Sequence, residues 1–242
     1  MKDFIKPLVI VITFYMIIGV LNAGTTVSLI TSEDTVLSTH SNLGGGSVPK
    51  GNTALWAISE YSMLPGYGNH SYSALKWDLS QFAGCTVLDT IVPVKLYLGY
   101  NWYYDRDGKY GSGTSYMDVS LHKSLVSWSQ STATYNNFGG EVGLQSDEYV
   151  ATAYDTNRIY DRQRGWFTWY IPGSLVQEWI DNPSSNNGLL LLPNGYNRPE
   201  FMFHSNSSGS NEPTITFEYI PEPCTLSLFA IGGIFLRRKR SV

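Results

Sequence analysis

Apolar and polar positions alternate along much of this chain with the two-residue period of half-buried β-strands. In Ser71 to Leu79, Leu75, Trp77 and Leu79 share one face while Lys76 and Asp78 share the other. Val94, Leu96, Leu98 and Tyr100 repeat the pattern, and Ile215, Phe217 and Tyr219 alternate with Thr214, Thr216 and Glu218. Asn187-Gly188 followed by Leu189 to Leu192 reads as a turn entering a strand buried on both faces. In the strand Met117 to Leu125, His122 falls opposite Leu121 and is expected at the surface. Trp166 and Trp169 bracket a strand beginning, one for the core and one exposed. Gly44-Gly45-Gly46 and Gly111-Ser112-Gly113 mark loops. The period turns helical once, where Leu175, Val176, Trp179 and Ile180 share a face of Leu175 to Asp181. Ser174 is placed to cap that helix, and Asn182-Pro183 ends it. Such a helix covers an open end of a sandwich core. The pattern therefore predicts one antiparallel all-β sandwich with a single short helix.

Both ends depart from this pattern. Met1 to Lys6 carries basic residues, Pro7 to Leu21 is apolar, and Asn22-Ala23-Gly24 supplies small residues at the exit. These are the parts of a secretory signal peptide at residues 1–23, with an uncleaved membrane anchor as the alternative. At the other end Pro221-Glu222-Pro223-Cys224 precedes the uncharged Thr225 to Leu236 and the cluster Arg237-Arg238-Lys239-Arg240. Twelve helical residues rise only about 18 Å, short of the roughly 30 Å hydrocarbon core, so this is a poor permanent anchor. The basic cluster would hold the segment in the membrane transiently from the cytoplasmic side.

Composition sharpens the picture. Charged residues make up only 15% of the chain, against roughly 25% on average, and 17 Tyr, 7 Trp and 23 Gly suit sheets and their turns. A coiled coil, a helix bundle, a disordered acidic chain and a disulfide-stapled miniprotein are excluded. The net charge of −4 averages unlike parts: residues 24–220 hold ten basic and eighteen acidic side chains apart from the basic ends, a net −8. No basic excess points to nucleic acid. Cys224 lies in the C-terminal segment, which leaves Cys85 without an intrachain partner. Asn69-His70-Ser71 and Asn206-Ser207-Ser208 match glycosylation acceptors but read as loop residues. His40, His70, His122 and His204 show no paired metal spacing, and neither a nucleophile elbow nor a P-loop occurs.

The segment Tyr100-Asn101-Trp102-Tyr103-Tyr104-Asp105-Arg106-Asp107-Gly108-Lys109-Tyr110 is the most unusual. Aromatic planes can lie over the C–H faces of sugars while Asp, Arg and Asn meet hydroxyls, and Arg106 and Lys109 could meet uronate or sulfate. The other reading is aromatic packing across a sandwich edge. Asp105-x-Asp107-Gly108 resembles the start of a calcium loop, but Tyr116 stands where the closing Glu would be. Arg158, Arg162 and Arg164 with Asp155 and Asp161 read as a solvated mixed-charge loop, with contact to a polyanion as the alternative.

Five segments in order resemble the DNRLRE domain, also classed with carbohydrate-binding module family 96. They are Glu33-Asp34-Thr35-Val36 with Asn42-Leu43-Gly44; Trp77-Asp78-Leu79-Ser80; Val94 to Leu98; Ser127-Trp128 with Thr134 to Asn137; and Leu175 to Trp179 through Asn186 to Leu189 with Pro213-Thr214-Ile215. Gln130 stands where that family usually has an acid, and Tyr135 where it has Trp. The resemblance implies a jelly-roll sandwich at residues 24–220, a non-catalytic polysaccharide-binding role, and a structural calcium near Glu33, Asp34 and Asn42, where the residues themselves also read as a solvated acidic turn. The C-terminal 221–242, with Pro221, Glu222 and Pro223 ahead of the apolar run and Arg237, Arg238, Lys239 and Arg240, resembles the PEP-CTERM sorting signal. That resemblance implies export through the secretion machinery and processing by an exosortase-type enzyme, with the body at the cell surface or outside. Trp102, Tyr103, Tyr104, Asp105, Arg106 and Lys109 are the expected ligand contacts. A structural matrix protein without a defined glycan, and a polysaccharide-active enzyme, are the rival functions.

Overall fold

The computed structural model describes residues 24–39, 46–51, 54–58, 71–103, 116–194 and 199–221. Twelve strands occur in them: β1 (Thr25–Ile30), β2 (Glu33–Ser38), β3 (Leu55–Ile58), β4 (Ser71–Lys76), β5 (Thr86–Val87), β6 (Ile91–Tyr103), β7 (Tyr116–Lys123), β8 (Asp155–Tyr160), β9 (Gly165–Pro172), β10 (Leu189–Asn194), β11 (Pro199–Phe203) and β12 (Thr214–Ile220). One α-helix, α1 (Gly173–Asp181), follows β9 directly. Hydrogen bonding runs β1-β12-β6-β11-β3-β4-β10-β7-β8, with β9 on β6, β5 on β12 and β2 on β4. Every pairing is antiparallel. Among the described residues no helix is long and apolar enough to cross a membrane.

The fold is all-β and sandwich-like because the inward faces of two runs of strands pack together. Val92, Val94, Leu96 and Leu98 of β6, Trp169 and Ile171 of β9 and Ile215 and Phe217 of β12 meet Met117, Val119 and Leu121 of β7 and Leu189 and Leu191 of β10. The alternation expected for these segments is what places them there. Tyr100 departs from the expected face: a bulge in the pairing with β11, where Phe203 meets Leu98 but Met202 meets Tyr100, turns it outward, and it is 39% exposed. Trp169 is fully buried, and its indole N–H donates across the core to the Val119 carbonyl at 2.8 Å. Trp166, three residues earlier, is 48% exposed, so the pair divides as expected.

A second, smaller core lies on the outer face of β2, β4 and β10. There Leu37, Ala74 and Leu190 are covered by Trp128, Ala133 and Phe138 from the long connection between β7 and β8. This makes β10 buried on both faces: Leu189 and Leu191 point into the main core and Leu190 into the second. Gly188 opens the strand at φ +73°, and a Cβ there would lie 2.1 Å from the Leu75 carbonyl, so only glycine fits. The same covering segment corrects the expectation for His122. It does lie opposite Leu121, but it is buried, with Nδ1 bonded to the Val150 carbonyl at 2.8 Å.

The helix packs Leu175, Val176, Trp179 and Ile180 onto one end of the core, as its pattern predicts. It begins at Gly173 rather than Leu175, and Ser174 sits inside its first turn and makes no capping bond. The Gly173 N–H donates instead to the Thr90 carbonyl at 2.9 Å, which ties the helix start to the bend that leads into β6.

Trp169→Ala should lower the unfolding free energy by about 3–5 kcal/mol, through lost area, a cavity and an orphaned carbonyl. Trp166→Ala should cost less than about 1 kcal/mol. Urea titrations of the two variants followed by circular dichroism check this, and equal midpoints would contradict the assignment of Trp169 to the core.

Candidate functional site

The outward face of β6 and β9 is where aromatic and cationic groups gather in the open. Cross-strand register pairs Tyr97 with Trp166, Lys95 with Thr168 and Pro93 with Tyr170, and β12 adds Thr214 beside Lys95. Trp166 and Tyr170 are 48% and 50% exposed. They are four residues apart on one strand, about 13 Å. Between them Lys95 is exposed, and among the described residues its ammonium makes no ion pair.

The aromatic end of this face is held rigidly. The Tyr97 ring meets Trp166 edge-on at 5.4 Å and His204 at 4.9 Å. His204 is anchored by its N–H to the Tyr97 carbonyl at 2.9 Å and by Nδ1 to the Ser210 carbonyl at 2.8 Å. It reaches across the strand only because position 99 is glycine, since a Cβ there would stand 2.6 Å from His204 Nε2. Chemically the face offers two separated aromatic surfaces, one cation and flanking hydroxyls, the set that a pyranose chain with polar or acidic substituents would meet.

Trp102 and Tyr103 are the penultimate and last residues of the same β6, paired with Glu200 and Pro199 of β11. Tyr104, Asp105, Arg106 and Lys109 lie outside the described residues, as do Asn42, Glu222, Pro223, Arg237, Arg238, Lys239 and Arg240. Pro221 is exposed just after β12. The aromatic segment reads from the sequence as a loop outside a strand, yet residues 101–103 continue β6, and the sequence does not single out Lys95 and Tyr97 on the earlier part of that strand. Their cross-strand partners became legible only with the register.

The Arg158 region is also different from its sequence reading. Asp155 and Arg158 belong to strand β8, not to a loop. The Arg158 guanidinium donates to both Asp118 oxygens, at 2.8 and 2.9 Å, and lies 3.8 Å over the Tyr116 ring. This hydrogen-bonded pairing holds the Asp118 carboxyl below its ordinary range and the guanidinium above its own. Arg158 is thus spoken for rather than waiting for a polyanion.

At the start of β2, Glu33 and Asp34 have opposite fates. Glu33 is held by the Lys76 ammonium at 2.7 Å and by the Gln130 backbone N–H at 2.9 Å. Although burial pushes the other way, these contacts keep its pKa low. Asp34 is fully buried, and desolvation raises its pKa from 3.8 to about 6, against the pull of the Asn206 N–H and the Thr31 hydroxyl on its Oδ2. Its other oxygen, Oδ1, is buried without a hydrogen-bond partner, and so is Oδ1 of Asn206. Gln130 closes the corner by accepting the Asp34 N–H at 3.0 Å. Two orphaned oxygens, one formally charged, are donors of the hard type that calcium takes. Glu33 adds nothing to them while Lys76 and Gln130 hold both of its oxygens. Among the described residues no three His, Cys, Asp or Glu side chains come together. Asn206, a glycosylation-type sequence position, is a half-buried part of this corner instead.

A carboxyl whose pKa is higher in the folded than in the unfolded chain binds its proton more readily when folded. In the presence of a chelator, Asp34's own contribution to stability should therefore fall by about 3 kcal/mol as pH rises from about 4 to about 6, and level off above, against the smaller opposite trend of Glu33, Asp118 and Glu178. Asp34→Asn should remove that slope. Denaturant midpoints of both proteins across this range decide it, and parallel pH profiles would show that Asp34 is not the group responsible.

No protein-family model matches this chain, and neither does any curated protein with which it was compared.

Proposed function

We propose that this chain is an exported, non-catalytic β-sandwich module of the cell envelope or extracellular matrix that binds polysaccharide. The observation that carries the reading is the outer β6–β9 face. Trp166 and Tyr170 stand exposed on either side of Lys95, on a sheet whose interior is already filled, so their exposure serves no packing need within the described residues. Tyr104, Asp105, Arg106 and Lys109, expected from the sequence to contact a ligand, follow β6 directly in the chain. With a body near −8, an acidic chain would be repelled overall and held locally, at Lys95, Arg106 and Lys109.

The finer fold reading is a jelly roll of the DNRLRE type. It is supported by the order of the five resembling segments and by the antiparallel pairing of distant strands. Export and sorting rest on the apolar N-terminal run and on Pro221-Glu222-Pro223 with its basic tail, as the substrate of an exosortase-type enzyme. A structural calcium belongs to the same reading. Asp34 Oδ1 and Asn206 Oδ1 would hold it, and its charge would lower the carboxyl pKa that burial raises.

Retention of the full-length chain in affinity gels cast with neutral and acidic polysaccharides tests the binding. Trp166→Ala and Tyr170→Ala should each weaken retention several-fold without changing the melting temperature. A folded protein retained by no gel would favour a purely structural matrix role. New reducing ends or unsaturated sugars released from the polysaccharide would mark an enzyme. For the ion, calcium should raise the melting temperature of the wild type and leave that of Asp34→Asn unchanged. An equal shift in both would place any calcium elsewhere.

A further inference from the structure

Where the connection that covers the second core meets the outer face of β4, β10 and β7 lies a groove of about 470 Å³ lined by Tyr72, Ser120, His122, Tyr149, Leu192 and Asn194, with apolar residues between them. That size falls within the range of small-ligand pockets, about 300–1,000 Å³. It faces away from the β6–β9 sheet and does not depend on the reading given to that face.

Three features make it a built site. The walls are ordered tyrosines: Tyr72 stacks on Tyr135 at 6.3 Å and 14°, and Tyr149 stands edge-on to His122 at 5.3 Å and 88°. The imidazole of His122 is only 7% exposed, and its Nδ1 lies 2.8 Å from the Val150 carbonyl. A carbonyl only accepts, so Nδ1 carries hydrogen and the neutral ring keeps its acceptor at Nε2, which has no partner among the described residues. Finally, Ser120 shares a 2.9 Å hydrogen bond with Thr156, which orients its hydroxyl, and the Asn194 amide adds both a donor and an acceptor.

Among the described residues, no Asp, Glu, Lys or Arg lines the groove. The closest charges by register, Asp118 opposite Asn194 and Arg158 beside it, neutralise each other in their bidentate pair. A charged guest would lose water here without gaining a counter-ion. A neutral guest with several hydroxyls and one apolar face would be met on both counts. We propose that this groove binds a neutral saccharide of one or two pyranose rings. A tyrosine ring lies against the C–H face, and Ser120, His122 Nε2 and Asn194 take the hydroxyls.

Saturation-transfer NMR on the full-length chain tests this with methyl glucoside, methyl galactoside, methyl mannoside, cellobiose and lactose, and with glucuronate and galacturonate as charged counterparts. At least one neutral probe should bind, with both uronates weaker. The double variant Ser120→Ala, Asn194→Ala should weaken that probe about tenfold at an unchanged melting temperature. Trp166→Ala should leave it unaffected. The proposal is overturned if no neutral probe binds the folded wild type, if a uronate binds as tightly, or if binding follows Trp166 and not Ser120 and Asn194. Loss of polysaccharide retention in Trp166→Ala with neutral-probe binding intact would separate the two sites.

Discussion

The indole N–H of Trp169, reaching across the core to the carbonyl of Val119, is the contact on which the arrangement of the two layers turns. Layers of a sandwich otherwise meet only through non-directional apolar contact, which tolerates sliding. A buried donor has no such freedom, because breaking the bond would leave two polar groups unsatisfied in the interior. The bond therefore fixes β9 against β7, and with it the register that puts Trp166 and Tyr170 on the opposite, outward side of β9. Asn157 reinforces the joint, donating from β8 to the Thr168 carbonyl of β9 at 2.8 Å. The same alternation that buries one tryptophan exposes the other.

The charged residues divide between those that close the structure and those left open. Glu33 with Lys76, Asp118 with Arg158 and Glu178 with Lys123 are each neutralised in a direct pair. Lys76 adds a second task, donating to the Trp128 carbonyl at 3.2 Å and lying 5.0 Å from the centre of its ring, so that one ammonium anchors the covering segment to β4. With these charges paired, specificity on the outer faces rests on aromatic surfaces, hydroxyls and Lys95. This also explains how a chain so poor in charge presents two chemically different faces. One has a cation between aromatic surfaces, and the other is a groove to which the described residues bring no charge.

Much of this was legible in the sequence, and the exceptions share a cause. Period-two alternation located the inward residues of β6 and β12, and the Asn187-Gly188 turn announced a strand buried on both sides. What alternation cannot say is whether the outward side of a strand meets water or another piece of chain. His122 was assigned to the surface for that reason, since the segment that buries it comes from residues 126–150, far from any local pattern. Arg158 reads as a loop residue because both faces of β8 are polar up to Ile159, with Asp155 and Asn157 on one and Thr156 on the other, which gives no hydrophobic period to detect. The acidic pair at Glu33-Asp34 was visible, but the partners that separate their roles, Lys76 and Gln130 on one side and Asn206 on the other, lie between 43 and 172 positions away. Gln130 shows how a neutral side chain can do a carboxylate's work. Its side-chain oxygen accepts the Asp34 N–H, a task that a carboxylate could also perform, and it does so without adding charge beside a buried Asp.

The sharing of β10 between two cores has a consequence for how the molecule opens. The main core is continuous through both layers, whereas the second depends on one long connection folded over three strands. Lifting that connection would expose Leu37, Ala74 and Leu190 and would leave Leu189 and Leu191 in place. The two halves of a single strand's side chains thus belong to different cooperative units. Amide exchange should then proceed on two scales, with protons along residues 126–150 released by a local event and those of β6, β7 and β9 only by global unfolding.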